Sequence, residues 1–285
     1  MNTLEATDLQ KSLGAGWTVC HLAGRATQEA CQREIDAQRG SVLLLLDEVD
    51  STSRLAKSLQ LGQHDGRCMA IVAKTQTAGY GRSGRSWHAQ PGSALTLTIL
   101  QPGAPLINPG LLPLLAGCAV AAMFRAFIKD ENDLDLKWPN DVWLKGLKAA
   151  GVLVESHLRG GRADLFFGIG CNIGQMSFPM DVRAQATTLA DHIMGEVPSL
   201  VICLTHLLAE HERIYKHYVA GNGDAILEEF AGNSSFVSGR AISYQINGQK
   251  MQGTTTGLSP TGELLCRDED GRDCKLNVSE IQLLR

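Results

Sequence analysis

The chain has no cysteine pair at C-x-x-C spacing, no excess of basic charge, no apolar run long enough to cross a bilayer and no internal repeat. Its cysteines, Cys20, Cys31, Cys68, Cys118, Cys171, Cys203, Cys266 and Cys274, are scattered over 285 residues. That spread argues against a zinc ribbon or a redox pair and leads us to expect reduced thiols in a core. A net charge of -4 gives no global field that would draw the chain to nucleic acid, so any phosphate binding must be local. The longest aliphatic run, residues 42–46, falls far short of the roughly 20 residues a spanning helix needs. The first ten residues also lack the basic-then-apolar pattern of an export signal. The expectation is a cytoplasmic protein with neither a membrane nor a nucleic-acid partner.

What is present is ample apolar material, 44% of residues, in a length that suits about two domains. Residues 1–39 are the least readable: Gly14-Ala15-Gly16 interrupts an early helix, residues 17–22 read as a strand and 27–38 have helical composition. Buried strands are expected at 42–46 and 69–73, with a helix opened by Asp50-Ser51-Thr52-Ser53 between them. Residues 94–100 alternate Thr with aliphatics, and 111–128 form a long, nearly all-apolar helix. Strands near 134–137, 142–144, 151–157 and 165–173 follow so closely that an antiparallel meander is expected rather than βαβ winding. A second long helix covers 200–219 and a short one starts near 225. After Gly232 the chain changes to short β-runs and turns, including an Asn247-Gly248 hairpin signal and a run at 275–278, which fits a small β-barrel.

Two segments carry the chemistry. Residues 75–87 read TQTAGYGRSGRSW, with Gly79, Gly81 and Gly84 set among Arg82 and Arg85 and ending on an exposed-looking Trp87. Glycine lets backbone approach a ligand closely, and arginine offers a fork of donors that matches carboxylate or phosphate. The segment satisfies G-x-G-x-x-G literally, but it leads to a strand rather than a helix, and no acidic residue stands about 20 positions later. A dinucleotide site is therefore rejected, and so is a kinase-type loop, which would need a following Val and a Lys-bearing strand. The second segment is Lys137-Trp138-Pro139-Asn140-Asp141-Val142, with Lys148 in a turn just beyond it. There an amide beside a carboxylate can recognise a base or ribose, or ligate Mg²⁺.

These motifs together resemble the biotin protein ligases. The likeness extends to Lys148-Ala149-Ala150-Gly151-Val152-Leu153-Val154-Glu155, to Asp50-Ser51-Thr52 and to Gly168-Ile169-Gly170-Cys171-Asn172, and covers about residues 40–285. It implies an α+β fold: a mixed, mainly antiparallel sheet flanked by helices, like a class II synthetase catalytic domain, over 1–232. An SH3-like small β-barrel would follow over 235–285. It implies ATP and biotin as substrates, Mg²⁺ as cofactor, biotinyl-5′-AMP as intermediate and the biotin carboxyl carrier protein of acetyl-CoA carboxylase as partner.

Carried over by position, Ser51, Thr52, Ser53, Gln76, Tyr80, Gly81, Arg82 and Lys148 would hold biotin. Arg85, Trp87, Lys137, Asn140 and Asn172 would hold the nucleotide. Lys148, Arg82, Arg85 and Asp141 would be catalytic, with Asp141 coordinating Mg²⁺ or orienting the incoming amine. Tyr80 and Ser83 stand where the family often has arginine, and Ser53 where some members have asparagine. The lipoate or octanoate ligases share this fold and are the alternative; the polar Ser51/Thr52/Gln76 set suits a ureido ring better than a bare acyl chain. A family form with an added DNA-binding domain is not expected, because the residues before 42 show no recognition helix.

Overall fold

The structure, a computed structural model, describes residues 4–62, 64, 66–246, 249–276 and 282–283. An eight-stranded sheet organises the first 172 residues. Its strands are β1 (Trp17–Arg25), β2 (Ser41–Val49), β3 (Met69–Gln76), β4 (Ala94–Ala104), β5 (Leu134–Lys137), β6 (Asp141–Leu144), β7 (Leu147–Arg159) and β8 (Arg162–Asn172), in the order β1-β2-β3-β4-β8-β7-β6-β5. β1, β2 and β3 are parallel, because helices α2 (Gln28–Ala37) and α3 (Thr52–Ser58) form the crossovers between them. Every other pairing is antiparallel, and β5 to β8 form the meander expected from their short turns.

The unbroken apolar run in β2 reflects a sheet buried on both faces. Leu43 and Leu45 point into one core, with α1 (Ala6–Leu13), α4 (Leu111–Arg125), α5 (Leu200–Val219) and α6 (Gly223–Gly232). Val42, Leu44 and Leu46 point into the other, against Cys31 and Ile35 of α2 and Leu55 and Ala56 of α3. The poorly readable N-terminal part thus adds a helix, an edge strand and a crossover to the sheet. Its edge is blunted by Gln10, whose amide donates to Trp17 O (2.8 Å) while its carbonyl accepts from Val19 N (2.9 Å).

The C-terminal β-runs form a second, five-stranded antiparallel sheet: β9 (Ser238–Ile246), β10 (Gln249–Leu258), β11 (Leu264–Asp268), β12 (Asp273–Leu276) and β13 (Gln282–Leu283), ordered β12-β11-β10-β9-β13. Asn247 and Gly248 lie outside the described residues, but Ile246 and Gln249 on either side pair antiparallel. Residues 277 and 278 of the last predicted run also lie outside them. Cys266 and Cys274 face each other across β11 and β12 and form a disulfide, Cα to Cα 5.3 Å. The expectation of uniformly reduced thiols fails for this pair, because strand register rather than sequence spacing brings them together.

The turn at residues 259–263 abuts the larger sheet. Trp138 donates through Nε1 to Gly262 O (2.9 Å), and Asn108 Nδ2 to Pro260 O (3.0 Å). The approach is so close that a Cβ on Gly110 would lie 2.1 Å from Thr261 O.

Candidate functional site

The parallel strands β2 and β3 end side by side, and the chain leaves β2 through Asp50 and Ser51 into α3. Ser51, Thr52 and Ser53 are buried there, three hydroxyls where a core would ordinarily take aliphatics. Thr52 donates to Gln76 Oε1 from both its N–H (2.8 Å) and its hydroxyl (3.1 Å). Thr98 donates to Thr52 Oγ1 (2.9 Å), which leaves Ser53 Oγ, 3.0 Å away, as the donor to Thr98. The hydroxyl protons of Ser53, Thr98 and Thr52 therefore run toward Gln76. Its Nε2 remains to donate, and the lone pairs of the hydroxyls remain to accept. A small patch offering both is the complement of a cyclic urea, which has two N–H donors and one carbonyl.

Nothing in the sequence singles out Thr98, whose alternation with aliphatics signals only a strand. Room for this patch comes from Gly168 on β8, where a Cβ would lie 2.6 Å from Ser53 Oγ and 3.3 Å from Leu153 O.

The glycine-arginine segment is a small hairpin. Trp87 N donates to Gly79 O (3.0 Å), Gly81 N to Arg85 O (2.7 Å), and Tyr80 bridges to Ser86. Ser83 and Gly84, at positive φ of 55° and 71°, turn its tip. Trp87 is half-buried rather than exposed. Its indole lies on bare backbone: a Cβ on Gly170 would sit 2.3 Å from indole Cε2, and one on Gly151 3.4 Å from Cζ3. Gly151 and Gly170 are register partners on β7 and β8, so together they make a flat floor for the ring. Glycine inside a strand marks such close approaches, and this signal could have found both positions.

Lys148 lies inside β7, not in the turn expected for it, which is Lys145-Gly146. Its backbone accepts from Thr187 N (3.0 Å) and donates to Gln185 O (2.8 Å), which fixes the base of a long side chain. The ammonium pairs with Asp141 at 2.7 Å and lies 5.7 Å from the centre of the Trp87 ring. Asn140 is fully engaged by its own protein. Its Nδ2 donates to Val152 O (2.6 Å), its backbone carbonyl accepts from Val152 N (2.9 Å), and its Oδ1 accepts from Arg82 Nη1 (3.1 Å). The geometry makes Asn140 an orienter of Arg82. Arg85 is exposed just past the tip of the hairpin, and Lys137 places its ammonium 4.7 Å over the Trp143 ring.

Asn172, at the end of β8, is buried and donates through Nδ2 to Thr187 O (3.0 Å). Thr187 and Thr188 are held in turn by Asp191 and His192. Asn172 Oδ1 and Trp87 Nε1 are buried without a protein partner. Leaving such atoms unsatisfied costs about 1–3 kcal/mol each, so one acceptor and one donor stand ready for a ligand. For Mg²⁺ the fit is poor. Among the described residues no cluster of three His, Cys, Asp or Glu side chains can hold a metal, and Asp141 is already engaged by Lys148. Among the same residues no helix is long and apolar enough to cross a membrane.

A sheet of this topology, with a hydroxyl patch at one end of the site and a cationic, glycine-floored shelf at the other, defines a class of acyl-group ligases. The pattern of the Biotin/lipoate A/B protein ligase family matches residues 45–172, which span the hydroxyl patch, the hairpin, Lys148 and Asn172. The bifunctional ligase/repressor BirA of Bacillus spizizenii is 30% identical over 86% of this chain and 74% of its own. The biotin–[acetyl-CoA-carboxylase] ligase of Mycobacterium tuberculosis is 29% identical over 89% of this chain and 90% of its own. Among solved structures, the biotin protein ligase of Aquifex aeolicus in complex with biotin and ATP superposes with a TM-score of 0.73 at 28% identity, over 85% of this chain and 99% of that one. The chain belongs to the biotin protein ligase family.

Proposed function

We propose that the protein joins biotin to ATP and then transfers the biotinyl group to one lysine of a biotin carboxyl carrier protein. In the first step a biotin carboxylate oxygen bonds to the α-phosphorus of ATP while the bond to pyrophosphate breaks. In the second, the carrier lysine nitrogen bonds to the carbonyl carbon, AMP departs and the amine proton is lost to solvent. The observation that carries this reading is the hydroxyl chain Ser53–Thr98–Thr52–Gln76, whose donors and acceptors complement a ureido ring. It favours biotin over lipoate or octanoate, which have nothing to bond there.

Lys148, fixed within β7 and steadied by Asp141, supplies the positive charge that brings carboxylate and phosphate together. Arg82, oriented by Asn140, covers the same anions from the hairpin, with Arg85 across its tip. Trp87 and Asn172 offer a flat face and an acceptor to the adenine. With Asp141 paired to Lys148 and no three-ligand cluster among the described residues, any Mg²⁺ would be held by the phosphate oxygens of the nucleotide and by water.

Incubation of the protein with ATP, Mg²⁺, biotin and a carrier domain, followed by mass spectrometry, is expected to show one biotinyl amide per carrier. Labelling by lipoate in competition with equimolar biotin would transfer the assignment to the sister class.

A further inference from the structure

The pairing of β7 with β8 stops at Ala150 and Cys171, and two residues of the site, Lys148 and Asn172, lie just beyond it. On its other side β7 meets β6 through a bulge: Val142 pairs with Ala150 and Trp143 with Lys148, which leaves Ala149 over. A bulge of this kind re-aims the neighbouring side chain. Residues 185–187, a strap that returns after β8, take the place beside Lys148. Lys148 N donates to Gln185 O (2.8 Å), Thr187 N donates to Lys148 O (3.0 Å), and Ala186 bridges to Lys148 in parallel. Thr187 O also accepts from Asn172 Nδ2 (3.0 Å), so the backbone of one residue joins the two site residues.

The strap is tied down by Asp191. Its Oδ2 accepts from Thr188 N (3.0 Å), Thr188 Oγ1 (2.7 Å) and Thr187 Oγ1 (3.3 Å), and its Oδ1 accepts from Gln175 Nε2 (3.0 Å). With the Thr187 hydroxyl proton directed at Asp191, His192 Nε2 donates to Thr187 Oγ1 (2.8 Å). A carboxylate reaching back to the N–H that opens a turn caps it, and an ionised acceptor makes each of these bonds stronger. Thr187 and Thr188 are buried while Asp191 is exposed, so the charge stays solvated and its bonds reach inward. We propose that Asp191, acting through Thr187, is a positioning residue that sets Lys148 against Asn172 as the adenylate forms. This rests on the functional reading above. Lys148 serves the reacting carboxylate and phosphate and Asn172 the adenine, so the strap governs how the nucleotide spans the two. The hydroxyl patch shares no hydrogen bond with the strap, and biotin binding by itself is independent of Asp191.

The test measures biotin binding to the full chain by calorimetry, and kcat and KM for ATP by pyrophosphate release at saturating biotin. It uses the wild type, Asp191→Ala, Asp191→Asn, Asn172→Ala and Asn172→Ala/Asp191→Ala. Asp191→Ala is expected to raise KM for ATP and lower kcat by about tenfold each, with biotin affinity within about twofold of wild type. Asp191→Asn should recover most of both losses, because its amide oxygen can serve the two threonines while Gln175 turns its own oxygen to the new amide. In the Asn172→Ala chain, adding Asp191→Ala should move KM for ATP by less than about twofold more, since the contact through which it acts on the adenine end is already gone. An unchanged KM for ATP in Asp191→Ala, an equal loss of biotin affinity, an Asp191→Asn chain as poor as Asp191→Ala, or losses in KM that multiply in the double variant would each overturn the positioning role while leaving the ligase reading standing. A wild-type chain that binds no biotin and releases no pyrophosphate would overturn both.

Discussion

Gly168 and Gly170 sit two residues apart on one face of β8, and substituting each should strike a different substrate. An alanine at 170 would put a Cβ at 2.3 Å from Trp87 Cε2 and 2.6 Å from Cζ2 and Nε1. Carbon–carbon contacts need about 3.5 Å, so the indole must lift by more than an ångström from its shelf. Overpacking of this kind typically costs about 1–3 kcal/mol. Here the strain falls on a ring at the base of a loop rather than on the core, and it should appear as lost nucleotide affinity. At 1.4 kcal/mol per decade, KM for ATP is expected to rise roughly five- to 150-fold.

An alanine at 168 meets Ser53 Oγ at 2.6 Å and Leu153 O at 3.3 Å, so it displaces the hydroxyl that begins the chain to Gln76. KM for biotin should rise by a similar factor while KM for ATP stays close to wild type. Pyrophosphate release, titrated with each substrate at saturation of the other, reads both constants. A crossed result, with Gly170→Ala acting on biotin and Gly168→Ala on ATP, or equal effects on both substrates, would refute the division of the site drawn here.

Lys148→Ala should lower the adenylation rate by two to three decades, the usual loss when a preorganised charge is removed, with an unchanged circular dichroism spectrum; retained pyrophosphate release would remove its role. His211 is fully buried, and desolvation pushes its pKa down to about 3, below the unfolded value near 6.5. As pH falls the unfolded chain takes up this proton first, so stability is full above about 6.5 and declines toward 3. Between pH 7 and 5 the group should cost about 2 kcal/mol, and urea unfolding of His211→Leu should lack that component. Trp138→Phe deletes the donor to the buried Gly262 carbonyl and should destabilise the fold by about 1–3 kcal/mol in urea, a loss that an unchanged midpoint would contradict.

The sequence by itself determined the elements and the chemistry available to them. The long helix at 200–219 and the β5–β8 meander were legible because apolar periodicity and turn residues are local properties of the chain. The hairpin's glycines and arginines, and the lysine after the Trp-Pro-Asn-Asp turn, announced an anion site for the same reason. Only the tertiary structure decided which of these groups work together, because partners are set by strand register and helix packing over long sequence distances. It put Thr98 between Ser53 and Thr52, 45 residues away, and turned a strand marker into part of a binding patch. It gave Asn140 to Arg82 and Asp141 to Lys148, and it seated Trp87 on two glycines of neighbouring strands. Cys266 met Cys274 through the same agency, since opposed positions on paired strands are invisible to any rule of spacing.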